Sequence, residues 1–190
     1  MARGDTRRAI LTAALAIVTE SGLEAMTVSR LAEVSGASNG SIYHHFGSRG
    51  GVVAALYRES FADLVDAMTP ALDGRPAEVV VPEIAARFLD WIRDNPARGG
   101  FVYLASAGGV AWSEEVAGFK AGIMAPLAAW FAARAASGEV RALPAWALDA
   151  VVMGPAHECA RRYLAAPGSF DLDLAGPEVT RAVWAIVRPG

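Results

Sequence analysis

Residues 27–57 read TVSRLAEVSGASNGSIYHHFGSRGGVVAALY, and the fold turns on this stretch. Thr27 stands immediately before Val28, Leu31 and Ala32, the apolar positions of one helical face, so its hydroxyl is placed to cap a short helix running to about Ser35. Gly36 stops that helix, because glycine enters the left-handed conformation of a C-terminal cap without a Cβ penalty. Ser38 caps a further helix with Ile42 and Phe46 on its buried side, and Gly47-Ser48 punctuates before a longer one begins. Ala32, Gly36 and Ile42 have the spacing of a helix-turn-helix: a small residue lets two helices cross closely, glycine makes the turn, and the apolar residue locks the second helix onto the first.

On the N-terminal side, Ile10, Leu11, Ala14, Leu15 and Val18 recur as one face of an amphipathic helix from about Asp5 to Ser21, ended by Gly22. Its start, basic over Met1–Arg8 and apolar over Ala9–Val18, imitates a secretory signal. Asp5 interrupts the basic run and Thr19-Glu20-Ser21 supplies no small-residue cleavage site, so no leader is expected. On the C-terminal side, apolar residues from Val52 to Met68 keep helical spacing until Pro70, and 70–77 reads as a loop. Ile84, Phe88, Leu89, Trp91 and Ile92 predict a helix ending at Asn95-Pro96, and Pro96 opens another that runs out at Gly108-Gly109. Ser113-Glu114-Glu115 starts a helix reaching Gly138, Pro144 opens one long helix closed by Pro167-Gly168, and a last short helix spans about Pro177 to Val187. The expected fold class is all-α, a three-helix head over 1–48 and a helical body over 49–190.

The chain has 190 residues and is 54% hydrophobic, much of it alanine, which suits closely packed helices. The longest apolar run, Ala121 to Ala133, is too short to cross a bilayer and is interrupted by Pro126, so no membrane partner is expected. Net charge is −3, without the global basic surplus usual for a nucleic-acid binder. Up to Gly50, however, Arg3, Arg7, Arg8, Arg30 and Arg49 stand against Asp5, Glu20, Glu24 and Glu33, leaving the head close to neutral. A single cysteine, Cys159, forms no internal disulfide, and a cytoplasmic location is expected.

The run from Thr27 to Tyr57 resembles the N-terminal signature of the TetR family of transcriptional repressors. The matches are Thr27, Leu31-Ala32, Gly36, Ser38, Gly40, the core of Ile42, Tyr43, His45 and Phe46, and Ser48 followed by a basic residue; the resemblance covers about Arg7 to Tyr57. It implies a recognition helix over Ser38 to His45, which is short, polar on one side and free of acidic groups, as entry into a major groove requires. Asn39, Ser41 and His44 are candidates for base edges; Thr27, Tyr43, His45 and Arg49 are candidates for phosphates, with Ser38 and Gly40 completing the DNA-binding set. Plainer readings stand beside these: Thr27 and Ser38 as caps, Tyr43 as packing at a helix crossing, His44 and His45 as solvated side chains. Gly50-Gly51 replaces the acidic or long residues usual in the family, at a helix cost of roughly 1 kcal/mol per glycine.

The family layout implies a homodimer, a palindromic operator in double-stranded DNA and a small-molecule effector that releases the repressor. Helices near 116–137 and 144–166 are the dimerisation candidates, because their alanines permit close approach. Phe88, Trp91, Tyr103, Trp112, Phe119 and Trp130, with His157 as a polar anchor, are candidates for a pocket taking an apolar or aromatic effector; ordinary core packing is the competing reading.

Gly36-Ala37-Ser38-Asn39-Gly40 formally matches a serine-hydrolase elbow, with Asp149 and His157 following in hydrolase order. That motif needs a strand before the serine, where Val28 to Ser35 predicts a helix. His44-His45 and His157-Glu158-Cys159 lack the spacing of a metal ligand set. No catalytic residue, cofactor or metal is expected, and the competing function is a helical protein-interaction module without DNA binding.

Overall fold

The computed structural model describes residues 3–109, 113–166 and 168–190. Every regular element among them is helical. In chain order these are α1 (Arg3–Ser21), α2 (Val28–Ser35), α3 (Asn39–Phe46), α4 (Arg49–Met68), α5 (Ala77–Asp94), α6 (Pro96–Ala107), α7 (Glu114–Ala136), the single turn α8 (Ala145–Ala147), α9 (Gly154–Ala165) and α10 (Leu172–Val187). The all-α fold class read from the sequence is the one observed.

Packing divides the chain into two compact units, Met1–Phe61 with Ala97–Phe119, and Ala62–Pro96 with Lys120–Gly190. In the first, Ile10, Ala14, Met26, Leu31, Ile42, Val52 and Tyr57 form a buried core, and Phe101, Ala105 and Val116 pack into the same cluster. Each large aliphatic side chain so enclosed contributes on the order of 1.5–3 kcal/mol. The second unit is organised around α5, whose buried face (Val80, Val81, Ile84, Phe88, Ile92) packs against α10 and α9. On α10, Val179, Val183 and Val187 recur every fourth residue on the buried side.

Three expectations change in this part of the chain. The helix expected to run unbroken from Pro144 is split: α8 gives way to a wide π-type turn over Leu148–Val152, closed by the Met153 amide on the Leu148 carbonyl at 3.2 Å, and α9 begins afresh at Gly154. Pro155 supplies the reason, since it has no N–H for the Val151 carbonyl and its ring crowds that position. The last helix starts at Leu172, five residues before Pro177, because the Asp171 carboxylate caps it by accepting from the amides of Asp173 and Leu174 at 2.8 and 3.2 Å. Finally, α7 passes through Pro126 without a break, so Val116–Ala136 is, by length and composition alone, long and apolar enough to cross a membrane. The proline deprives only the Gly122 carbonyl of its helical donor, on a part of the helix that is open to solvent.

Candidate nucleic-acid interface

The helix pair at the centre of the head is built by its caps. The Thr27 hydroxyl accepts from the Arg30 amide at 3.1 Å and starts α2; Gly36, at φ 70°, ends it with its amide on the Ala32 carbonyl at 3.0 Å. The Ser38 hydroxyl accepts from the Ser41 amide at 3.1 Å and starts α3, and it lies 3.1 Å from the Ser41 hydroxyl as well. Each such cap stabilises its helix by roughly 1 kcal/mol. Leu31 and Ile42 are fully buried and hold α2 and α3 on α1.

With Ile42 inward, α3 presents Asn39, Gly40, Tyr43 and His44 to the outside, Tyr43 at 53% exposure, while Ser41 and His45 are half-buried. His44 and His45 meet edge to face with ring centroids 5.4 Å apart. Thr27 and Ser38 are exposed, and both hydroxyls are already engaged as caps. The structure thus brings Asn39, Gly40, Ser41, Tyr43, His44 and His45 together on one short helix with Ser38 as its cap, and Thr27 caps the partner helix.

Four arginines of the head, Arg7, Arg8, Arg30 and Arg49, have partners inside it. Arg7 pairs with Glu59 and lies over the Phe46 ring at 5.6 Å, Arg8 is 3.6 Å from Asp5, and Arg30 is 2.9 Å from Glu33. Arg49, at the first position of α4, donates from Nε to the Met26 carbonyl at 2.7 Å and from Nη2 to the Leu23 carbonyl at 2.5 Å. Neither contact was legible in the sequence, where the positive charge alone suggested a phosphate. The carbonyls that recruit it close a short 3₁₀ turn over Leu23–Ala25 that has no signature of its own.

The candidate effector residues are distributed over both packing units. Tyr103 and Phe119 belong to the first packing unit and are half-buried, whereas Phe88, Trp91, Trp130 and His157 belong to the second; Trp112 lies outside the described residues. Phe88 is core, with the His157 ring edge-on at 4.9 Å. His157 donates from Nε2 to the Asp149 carboxylate at 3.0 Å, and this hydrogen bond, with Lys120 adding to it, holds Asp149 below the usual aspartate range. Trp91 is buried with its indole N–H on Asp63 at 3.1 Å, and the Trp130 indole donates to the Asp73 carbonyl at 3.3 Å beneath the Arg134 guanidinium. A groove of about 320 Å³ lies between α5 and α10, lined by Leu89, Arg93, Leu172, Asp173 and Pro177 among others, and holds none of those aromatics. Sequence reasoning missed it because aromatic content marks core and pocket alike.

The segment before Ser38 is a helix, so the strand that a hydrolase elbow requires is replaced by α2.

Comparison with known proteins agrees with this geometry. Residues 10–56 match the family model described as bacterial regulatory proteins, tetR family. The HTH-type transcriptional repressor AcnR of Corynebacterium glutamicum is 38% identical over 65 residues, which is 34% of this chain and 35% of that protein, so the match spans about a third of the relative's length. Over the whole chain the likeness is one of fold. A TetR family transcription regulator from Marinobacter aquaeolei VT8 superposes with a TM-score of 0.82 at 17% identity, covering 98% of this chain and 97% of that one. The regulator FadR from Bacillus subtilis, in complex with stearoyl-CoA, does so with 0.74 at 15% identity, covering 93% and 96%. Residues 10–56 are thus similar in sequence to the helix-turn-helix head of the bacterial regulatory proteins of the tetR family, and the rest of the chain shares their fold.

Proposed function

We propose that the chain is a cytoplasmic repressor that binds a pseudo-palindromic operator as a homodimer and is released by a small apolar or aromatic effector. The observation that carries the DNA half is α3: a helix capped by Ser38, anchored by Ile42, and exposing Asn39, Gly40, Tyr43 and His44 with no acidic group among them. In this reading Asn39, Ser41 and His44 reach base edges, and Tyr43, His45 and the capped start of α2 at Thr27 set the register on phosphates. The head over 1–48 binds DNA and the body over 49–190 senses and dimerises.

The dimer is assigned to the helices over 116–137 and 144–166. Support comes from α7, which exposes a run of small residues (Ala121, Gly122, Ala125, Ala128, Ala129, Ala132), and from Trp146, which stands 68% exposed at the start of α8. Two protomers then place two recognition helices about one DNA turn apart. An acyl-type or aromatic effector is favoured by the apolar body and by the stearoyl-CoA held by the structurally similar FadR. Phe88 and His157, which meet in the second unit, are the residues among those named that are best placed to report it. An effector of this kind shifts the equilibrium only by binding one arrangement of the two heads more tightly than another.

The test is selection of bound sequences from a random duplex library by the purified chain at two salt concentrations. Enrichment of a palindrome with salt-sensitive affinity supports the repressor and supplies the operator for an effector screen. A folded chain that enriches nothing at low salt overturns it in favour of a protein-interaction module.

A further inference from the structure

We propose that Arg49 is a positioning residue of the DNA-binding head: its guanidinium holds the turn that delivers Thr27, and so sets α2 and α3 in place, without touching a phosphate itself. The proposal rests on the DNA-binding reading above. Its geometry closes a ring of short contacts. Nε and Nη2 of Arg49 grip the carbonyls of Met26 and Leu23, the two ends of the connection between α1 and α2. Leu23 O also accepts from the Met26 amide at 3.2 Å, and the Thr27 amide donates to Ala25 O at 2.9 Å, so the guanidinium buttresses a turn that has few hydrogen bonds of its own. From there Thr27 caps α2, α2 passes through Gly36 to α3, and Ser48 caps α4, where Arg49 begins. One side chain thus ties the start of α4 back to the start of α2.

The chemistry favours arginine in this post. A planar fork presents donors at fixed spacing and meets two carbonyls at once, where an ammonium group on a flexible stem does not hold the same two directions. Charge is also met locally, since the Glu24 carboxylate lies 3.8 Å from Nη2. A phosphate would have to compete with that carboxylate and with two carbonyls already in place, the side chain being 38% exposed.

The test compares the full-length wild type with Arg49→Lys and Arg49→Gln. Amide hydrogen exchange is read on the free chain, and affinity for the duplex enriched from the random library is read as a function of salt. Both variants are expected to speed exchange at Met26 and Thr27 by about tenfold or more, as loss of charge-assisted hydrogen bonds requires. Unchanged protection of Ile10 and Ala14 shows that the head remains folded. Both should weaken duplex binding by about tenfold while the slope of log affinity against log salt stays that of the wild type. The proposal is overturned if Arg49→Lys binds as the wild type does and Arg49→Gln loses about 0.9 of the slope, the mark of one phosphate contact. Unaltered exchange in both variants overturns it equally. A wild-type chain that binds no duplex at low salt removes the DNA-binding reading itself, which the exchange data alone do not touch.

Discussion

Gly51 lies where the first turn of α4 crosses the end of α3. A Cβ there would stand 1.9 Å from the Phe46 carbonyl oxygen, a distance no side chain survives, and the obstacle is backbone that cannot swing away. Its neighbour Gly50 differs, because a Cβ would meet only the Ser48 hydroxyl at 3.6 Å, an ordinary contact. The glycine pair that reads in sequence as a weakened helix start therefore contains one replaceable residue and one required residue. Gly51→Ala should destabilise the chain by about 3 kcal/mol, as overpacking against backbone does, and Gly50→Ala should stabilise it by up to about 1 kcal/mol. Urea unfolding of the two variants measures both, and equal stability would remove the close approach as an explanation. Ser60 on α4 is the other residue at odds with its surroundings: fully buried, with no partner for its hydroxyl. Ser60→Ala should raise stability by about 1 kcal/mol, since it removes an unmet polar group and improves helix propensity. A lowered unfolding midpoint would show that the hydroxyl is satisfied in solution.

At the scale of elements, helix starts decide most of what is ordered, and not all are capped from within. The residue before α5 is Pro76, which has no side-chain acceptor; the Glu139 carboxylate, far along the chain, accepts from the Ala77 amide at 3.0 Å instead. Glu139 is gripped in turn by Arg134 at 2.6 Å, and Arg134 also donates to the Asp73 carbonyl at 3.1 Å, so one cluster fixes the loop that leads into α5. The Arg134 hydrogen bond first, then the Ala77 amide, hold the Glu139 carboxyl below the ordinary glutamate value. A depressed carboxyl stabilises the fold above its unfolded pKa, and that contribution disappears as pH falls through the folded value. The thermal midpoint of the wild type should therefore exceed that of Glu139→Gln at neutral pH, and the gap should close as pH falls below about 4. A gap that persists at pH 3 would place the contribution of Glu139 in packing. Caps also separate the elements that sequence reads correctly from those it does not. Thr27, Gly36 and Ser38 act within four residues of themselves, and the helices they bound are the ones observed. Proline gives no such local rule: Pro155 stands in the first turn of α9, where the sequence predicts a continuous helix, and Pro177 sits inside α10, where it predicts a helix start.

For the whole molecule, the net charge of −3 and the engagement of Arg7, Arg8, Arg30 and Arg49 within the head bear on how the proposed DNA binding would respond to salt. Six to ten phosphate contacts give slopes of roughly −5 to −9 in log affinity against log salt. If the proposed dimer forms, it should bind a duplex with a slope shallower than about −5, leaning on helix termini, hydroxyls and imidazoles. A slope steeper than that would mean that the internal ion pairs open on the duplex and release their arginines to it. The packing units bear on the stability of the head, since Phe101, Ala105 and Val116 belong to the buried cluster that also holds Ile42 of α3. A chain cut at residue 48 would expose that core and should fail to fold cooperatively.

What the sequence determined by itself is local. The helix-turn-helix, its caps, its turn glycine and the polar face of α3 are written in residues three or four apart, because hydrogen bonds and side-chain periodicity inside a helix reach no further. Tertiary structure alone decided the rest: that Arg49 serves two carbonyls, that Gly51 must be glycine, that Glu139 caps α5, and that the aromatic residues of the body divide between two units. Those outcomes depend on which distant backbone groups come within about 3 Å, and residue types do not encode that distance until the chain is packed.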